Sequence, residues 1–95
     1  MPVSFDLKLR PAPAVLIRTI EGESLILSIP QQEYFGLDPA GTRMWQLVTA
    51  KDSVEAAYQQ LLEEFDVEPD LLRRDLEEFL EQLIDAGLLV ADGQP

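Results

Sequence analysis

The run Tyr34-Phe-Gly-Leu-Asp-Pro-Ala-Gly-Thr-Arg-Met-Trp-Gln-Leu-Val48 sets a strand-to-helix turn near the middle of the chain, and that turn limits what can flank it. Adjacent aromatics at Tyr34 and Phe35 suit a pleated surface and Gly36 would weaken a helix, so residues 33–37 read as a short strand. Asp38 is a good N-cap, and Pro39 stands at the first helical position, where its missing N–H costs nothing. The helix that follows carries Met44, Trp45 and Val48 on one side, with Trp45 as a core anchor.

Upstream, residues 15–21 and 24–29 form two β-rich segments separated by Gly22-Glu23, whose glycine supplies the positive φ of a tight hairpin turn. In the second segment Leu25, Leu27 and Ile29 alternate with Ser24, Ile26 and Ser28, so one of the two faces meets the helices. Downstream, Asp52-Ser-Val-Glu55 is a capping-box pattern opening a second helix to about residue 65. Pro69 opens a third helix, with Leu72, Leu76, Phe79, Leu80 and Leu83 in one stripe and Gly87 as its stop. Residues 88–90 then return as a short extended segment to the sheet or the bundle. The order predicts an α+β domain, winged helix-turn-helix-like, with a three-stranded antiparallel sheet packed on three helices. Three prolines, Pro2, Pro11 and Pro13, and few periodic apolar positions make residues 1–14 read as a flexible arm. The domain is expected over residues 15–90, and residues 91–95 as a frayed tail.

A chain of 95 residues supports one modest core and is too small for a second domain or a deep buried active site. Cysteine and histidine are both absent, which removes disulfides, thiolate or imidazole metal sites and any scheme built on a His base or Cys nucleophile. None of the four serines lies in a Gly-x-Ser-x-Gly setting, and there is no glycine-rich phosphate loop or Ca²⁺-loop pattern. Neither a cofactor nor a metal is expected. The formal charge is −11, and thirteen of the eighteen acidic side chains fall after residue 50 with only three basic ones. That balance argues against nucleic acid as a partner. No apolar run approaches the roughly 20 residues that span a bilayer. No secretory signal is visible at the N-terminus, so a cytoplasmic protein is expected.

Asp75 and Glu78 share a helix face, but paired carboxylates catalyse only when enclosed, and a helix surface in so small a domain encloses little. A solvated face is the simpler reading, and no enzyme activity is expected. Alternation sends one of Tyr34 and Phe35 inward and leaves the other beside a strand edge where a guest strand fits. Arg73 and Arg74 either pair with Glu77 and Glu78 at i, i+4, or Arg74 meets an acidic group on a partner.

Leu37, Gly41, Trp45, Asp75, Phe79, Leu80, Leu83, Gly87 and Leu88, in this order and spacing, resemble the PqqD-like family, the recognition elements for precursors of ribosomally made, modified peptides. The resemblance spans about residues 15–90 and implies a non-catalytic peptide chaperone. In that family the leader of the precursor adds as a strand against the third strand, in the cleft formed with the third helix. Carried onto this chain, the strand side is Glu33, Tyr34, Phe35, Gly36 and Leu37, and the helix side is Leu72, Arg74, Asp75, Leu76 and Phe79. The implied partners are a leader peptide and a leader peptidase or modifying enzyme, and a chain of this size fits a detached recognition subunit such as those of lasso peptide biosynthesis. A winged-helix regulator or a dimerising interaction module is the alternative.

Overall fold

Glu21 and Gly22 both take positive φ, 53° and 84°, and this pair closes a two-residue hairpin. Two successive positive φ values match the right-handed twist of the flanking strands, so the turn falls one residue earlier than the glycine alone suggests. In the computed structural model, which describes residues 3–92, the chain runs β1 (Leu9–Pro11), β2 (Val15–Ile20), β3 (Glu23–Ser28), β4 (Glu33–Leu37), α1 (Pro39–Ala50), α2 (Val54–Glu64), α3 (Pro69–Asp85) and β5 (Leu89–Ala91). Strands β2, β3 and β4 form an antiparallel meander, with Ile17, Ile26 and Phe35 in one cross-strand row and Leu16, Leu27 and Tyr34 in the next. This is the expected α+β arrangement of a three-stranded sheet on three helices.

The helix-facing side of β3 is its more polar one. Ser24, Ile26 and Ser28 are buried while Leu25 is 46% exposed and Ile29 51% exposed. Thr42 on α1 explains the choice: its hydroxyl donates to Ser24 Oγ at 2.9 Å, and Ser24 Oγ also lies 2.9 Å from Thr19 Oγ1. Small hydroxyl side chains let the helix approach closely, and each polar atom finds a partner, so burial carries no desolvation penalty left uncompensated.

Each helix start follows its local chemistry. Asp38 caps α1 by accepting from Gly41 N–H at 2.7 Å, with Pro39 next in line. Ser53, one residue beyond the expected Asp52, caps α2 by accepting from Ala56 N–H at 3.1 Å. Pro69 opens α3, whose Leu72, Leu76, Leu80 and Leu83 are buried, and Gly87 ends it at φ 78°.

Residues 3–14 do not form the flexible arm expected of them. Val3, Phe5 and Leu9 are core side chains. The backbone carbonyls of Phe5 and Leu7 accept from Glu55 N–H and Val54 N–H, both at 2.8 Å, satisfying donors at the start of α2 that have no partner within the helix. Lys8 Nζ donates to the carbonyls of Thr49 and Lys51 at 2.9 and 2.7 Å, closing the end of α1, where a cation also complements the helix dipole. Strand β1 pairs with β5 in a separate two-stranded sheet, which is where the returning segment after Gly87 goes. Ala91 belongs to β5, and Asp92 donates its N–H to the Lys8 carbonyl at 2.7 Å, so these two residues of the expected frayed tail are also held. The rest of that tail, and residues 1–2 of the arm, lie outside the described residues.

Arg73 departs from expectation as well. Its guanidinium reaches across to Glu55 on α2 at 3.3 Å instead of along its own helix to Glu77, and its carbon sits 3.9 Å from the centre of the Phe5 ring. Phe5 in turn meets Tyr58 edge-on at 5.8 Å between centroids. A cation gains more over an aromatic face than in a solvated helix pair, which accounts for the choice.

Candidate functional site: a cleft between β4, α1 and α3

Strand β4 lies at one margin of its sheet, and beside it the first turn of α1 and the middle of α3 enclose a cleft of about 430 Å³. Its lining comprises Gly36 and Leu37 from β4, Asp38, Ala40, Gly41 and Met44 from the turn and α1, and Asp75 and Phe79 from α3. The strand-to-helix turn makes this possible: it brings the end of β4 and the start of α1 to one spot, and the stripe of α3 carries Phe79 against them. Gly41 is the closest point. A Cβ built there would stand 3.3 Å from Phe79 Cε1 and 3.2 Å from Asp38 Oδ1, so a larger residue pushes the ring or the cap aside.

The expected site residues divide into three groups. Gly36, Leu37, Asp75 and Phe79 line the cleft together. Phe35 points to the helix side and is half-buried, whereas Tyr34 projects from the opposite face at 67% exposure; Glu33 and Arg74 are exposed and outside the cleft lining. Leu72 and Leu76 are buried in the core and support α3 from beneath. Three lining residues, Asp38, Ala40 and Met44, carry no mark of it in the sequence. Asp38 reads as a cap, and Met44 as an interior residue of α1; only their closeness to Phe79, some forty positions on, makes them lining.

The cleft is apolar below and acidic at its rim, where Asp75 is exposed to solvent. Among the described residues no group of three or more His, Cys, Asp or Glu side chains is placed to hold a metal ion, and no helix is long and apolar enough to cross a membrane. The carboxyl groups with perturbed titration lie elsewhere. Glu64 is held down at about 2, mainly by its hydrogen bonds from Arg43, at 2.7 Å to each of two nitrogens, and then by Gln60. Glu55 is lowered chiefly by Gln59 and further by Arg73. Both belong to the scaffold that joins α2 to its neighbours.

Residues 23–89 match the family described as Coenzyme PQQ synthesis protein D (PqqD). Among solved structures, one described as TbiB1 in complex with the TbiA(beta) leader peptide superposes with a TM-score of 0.79 at 29% identity, covering 90% of this chain and 98% of that one. A second, a lasso peptide synthetase B1 complexed with the leader peptide, gives a TM-score of 0.79 at 20% identity over 87% of this chain and 98% of that one. No curated protein matches the chain at the level of sequence.

Proposed function

Because the chain belongs to the PqqD family, we propose that it is a non-catalytic, cytoplasmic peptide chaperone, which binds the leader of a ribosomally made precursor and presents it to a leader peptidase or modifying enzyme. The observation that carries this reading is the margin of β4 running beside an apolar cleft, in a fold shared with a leader-bound structure at 29% identity. A guest strand laid against β4 gains backbone hydrogen bonds from the edge, and its alternate side chains reach the cleft. Phe35, Leu37 and Phe79 offer the apolar contact, and Asp75 at the rim meets a donor or cation of the guest.

Apolar anchors and strand hydrogen bonds supply the attraction, and the ordering of the leader opposes it. The acidic helices α2 and α3 also weigh against a winged-helix regulator, whose recognition helix needs cations at the phosphates.

Fluorescence anisotropy tests the reading, using a labelled leader from the precursor gene nearest this one. Saturation at micromolar or tighter concentration is expected, weakened about tenfold by Phe35→Ala and several-fold by Asp75→Asn, each loss of tenfold being about 1.4 kcal/mol. Absence of binding by the folded wild-type chain would sink it.

A further inference from the structure

The outer face of the β2–β3–β4 sheet, turned away from the helices, is apolar and uncovered. Leu16, Leu27 and Tyr34 form one cross-strand row, and Arg18, Leu25 and Gly36 the next. Leu16 is 57% exposed, and the two rows frame a shallow depression of about 460 Å³ with Arg18 at its side. Arg18 takes part in none of the ion pairs among the described residues. Leu16 on β2 and Leu25 on β3 stand in water beside Tyr34 on β4, and Arg18 forms no ion pair even with Glu23, diagonal to it on the same face; such a patch marks a surface made to be covered.

We propose that this outer face docks the processing enzyme, through an apolar patch that carries a carboxylate for Arg18. The inference rests on the peptide-chaperone reading and adds a second surface to it. Continuity with β4 argues for the enzyme as occupant. A guest strand added to β4 extends the sheet by one strand, and its side chains alternate: one set enters the cleft and the other lands on the outer face beside Tyr34 and Gly36. An enzyme seated there touches chaperone and guest at once. Gly36, with no heavy atom within 4 Å of the place its Cβ would take, leaves room for that set.

Three strands of about six residues present about 300 Å² in projection, short of the about 800 Å² per partner of a stable interface, so the bare face is too small for a second copy, and an enzyme reaches that area only by touching the guest as well. The guest strand enlarges the face for an enzyme, so the loaded chaperone binds more tightly than the empty one.

Leu16→Glu and Arg18→Glu separate the two surfaces, because β2 lies two strands, about 10 Å, from the β4 margin. The chain–leader complex is titrated with the leader peptidase or modifying enzyme encoded beside the precursor, while leader affinity is measured separately by anisotropy. Each variant is expected to keep its circular dichroism and leader affinity within twofold and to lose at least tenfold in enzyme affinity; Arg18→Lys should recover much of that loss. Unchanged enzyme affinity in both variants overturns the proposal. So does loss of leader binding in a folded variant, which would make the face part of the guest site, or a concentration-dependent dimer abolished by Leu16→Glu. A wild-type chain that binds the enzyme through these residues yet binds no leader would defeat the chaperone reading and uphold this surface.

Discussion

The two sheets of this molecule share a short chain and differ in almost everything else. Strands β1 and β5 pair over three residues each, yet Leu9 and Leu89 are core side chains, and the segment leading into β1 satisfies the exposed ends of two helices. Strands β2, β3 and β4 pair over more residues but cover only one face, with both margins and the outer side chains Leu16, Leu25 and Tyr34 left to solvent. Number of strands therefore says little about which sheet holds the fold. The small one is tied to the core through burial and helix capping, and the larger one hangs on α1 by Ile26, Phe35, Leu37 and a hydroxyl chain. A binding surface is drawn from the part of a protein whose backbone edge and apolar face are not already spent on stability.

The sharpest break of that comparison is one leucine from each sheet. Leu9→Ala removes a fully buried side chain from β1 and is expected to cost about 2–5 kcal/mol, while Leu25→Ala on the outer face of β3 should stay within about 0.5 kcal/mol. Midpoints of urea unfolding measure both. Against a total stability of about 5–15 kcal/mol the first change is severe. Equal losses would mean that the outer face is covered in solution.

Gly41 gives a smaller effect that reports on the cleft alone. A methyl there gains helix propensity of about 1 kcal/mol over glycine but presses on Phe79 Cε1 and the Asp38 cap, so Gly41→Ala is expected to leave stability within about 1 kcal/mol. Leader affinity should nonetheless fall several-fold, since the Phe79 ring moves toward the space a guest side chain needs. Calorimetric unfolding together with anisotropy separates these outcomes: a stable protein with undiminished affinity would take Phe79 out of the binding surface.

Much of this arrangement is legible in the sequence, and the parts that are not share a cause. Helix starts at Pro39 and Pro69, the stop at Gly87 and the stripe of α3 follow from local chemistry acting over a few residues. Tyr34 and Phe35 split between faces as alternation requires. The N-terminal segment was hidden by its prolines, although Val3, Phe5, Leu7 and Leu9 stand at spacing two, the signal of a half-buried extended segment. Its ordering depends on carbonyls meeting the start of α2 about fifty residues later. Which face of β3 turns inward is likewise undecidable from β3 itself, because Thr42 on another element supplies the partner for Ser24. In the cleft, Gly36, Leu37, Asp75 and Phe79 can be named from the resemblance, whereas Leu72 and Leu76 share the α3 stripe but sit beneath the surface. Helical periodicity marks an apolar face without saying which of its members stop short of full burial.

The least effect expected is electrostatic and confined to the helices that carry both sheets. Arg43 on α1 holds Glu64 on α2 with two hydrogen bonds at 2.7 Å, and the carboxyl stays ionised down to about 2. A carboxylate whose folded value lies below its unfolded one stabilises fully above the unfolded value of about 4.5, and that contribution is lost as pH falls toward 2. Wild type should therefore melt slightly above Arg43→Gln at pH 7, with the gap closing between about pH 4.5 and 2. High salt should narrow it as well, because the pair is solvent-exposed and screened. Hydrogen-exchange protection at Arg10 and Val90, paired across β1 and β5, should not follow that change, since backbone pairing and burial hold those strands. Protection that falls with the gap would show the small sheet to depend on the α1–α2 ion pair, and the contrast between an apolar anchor and an open working face would then fail at its stable end.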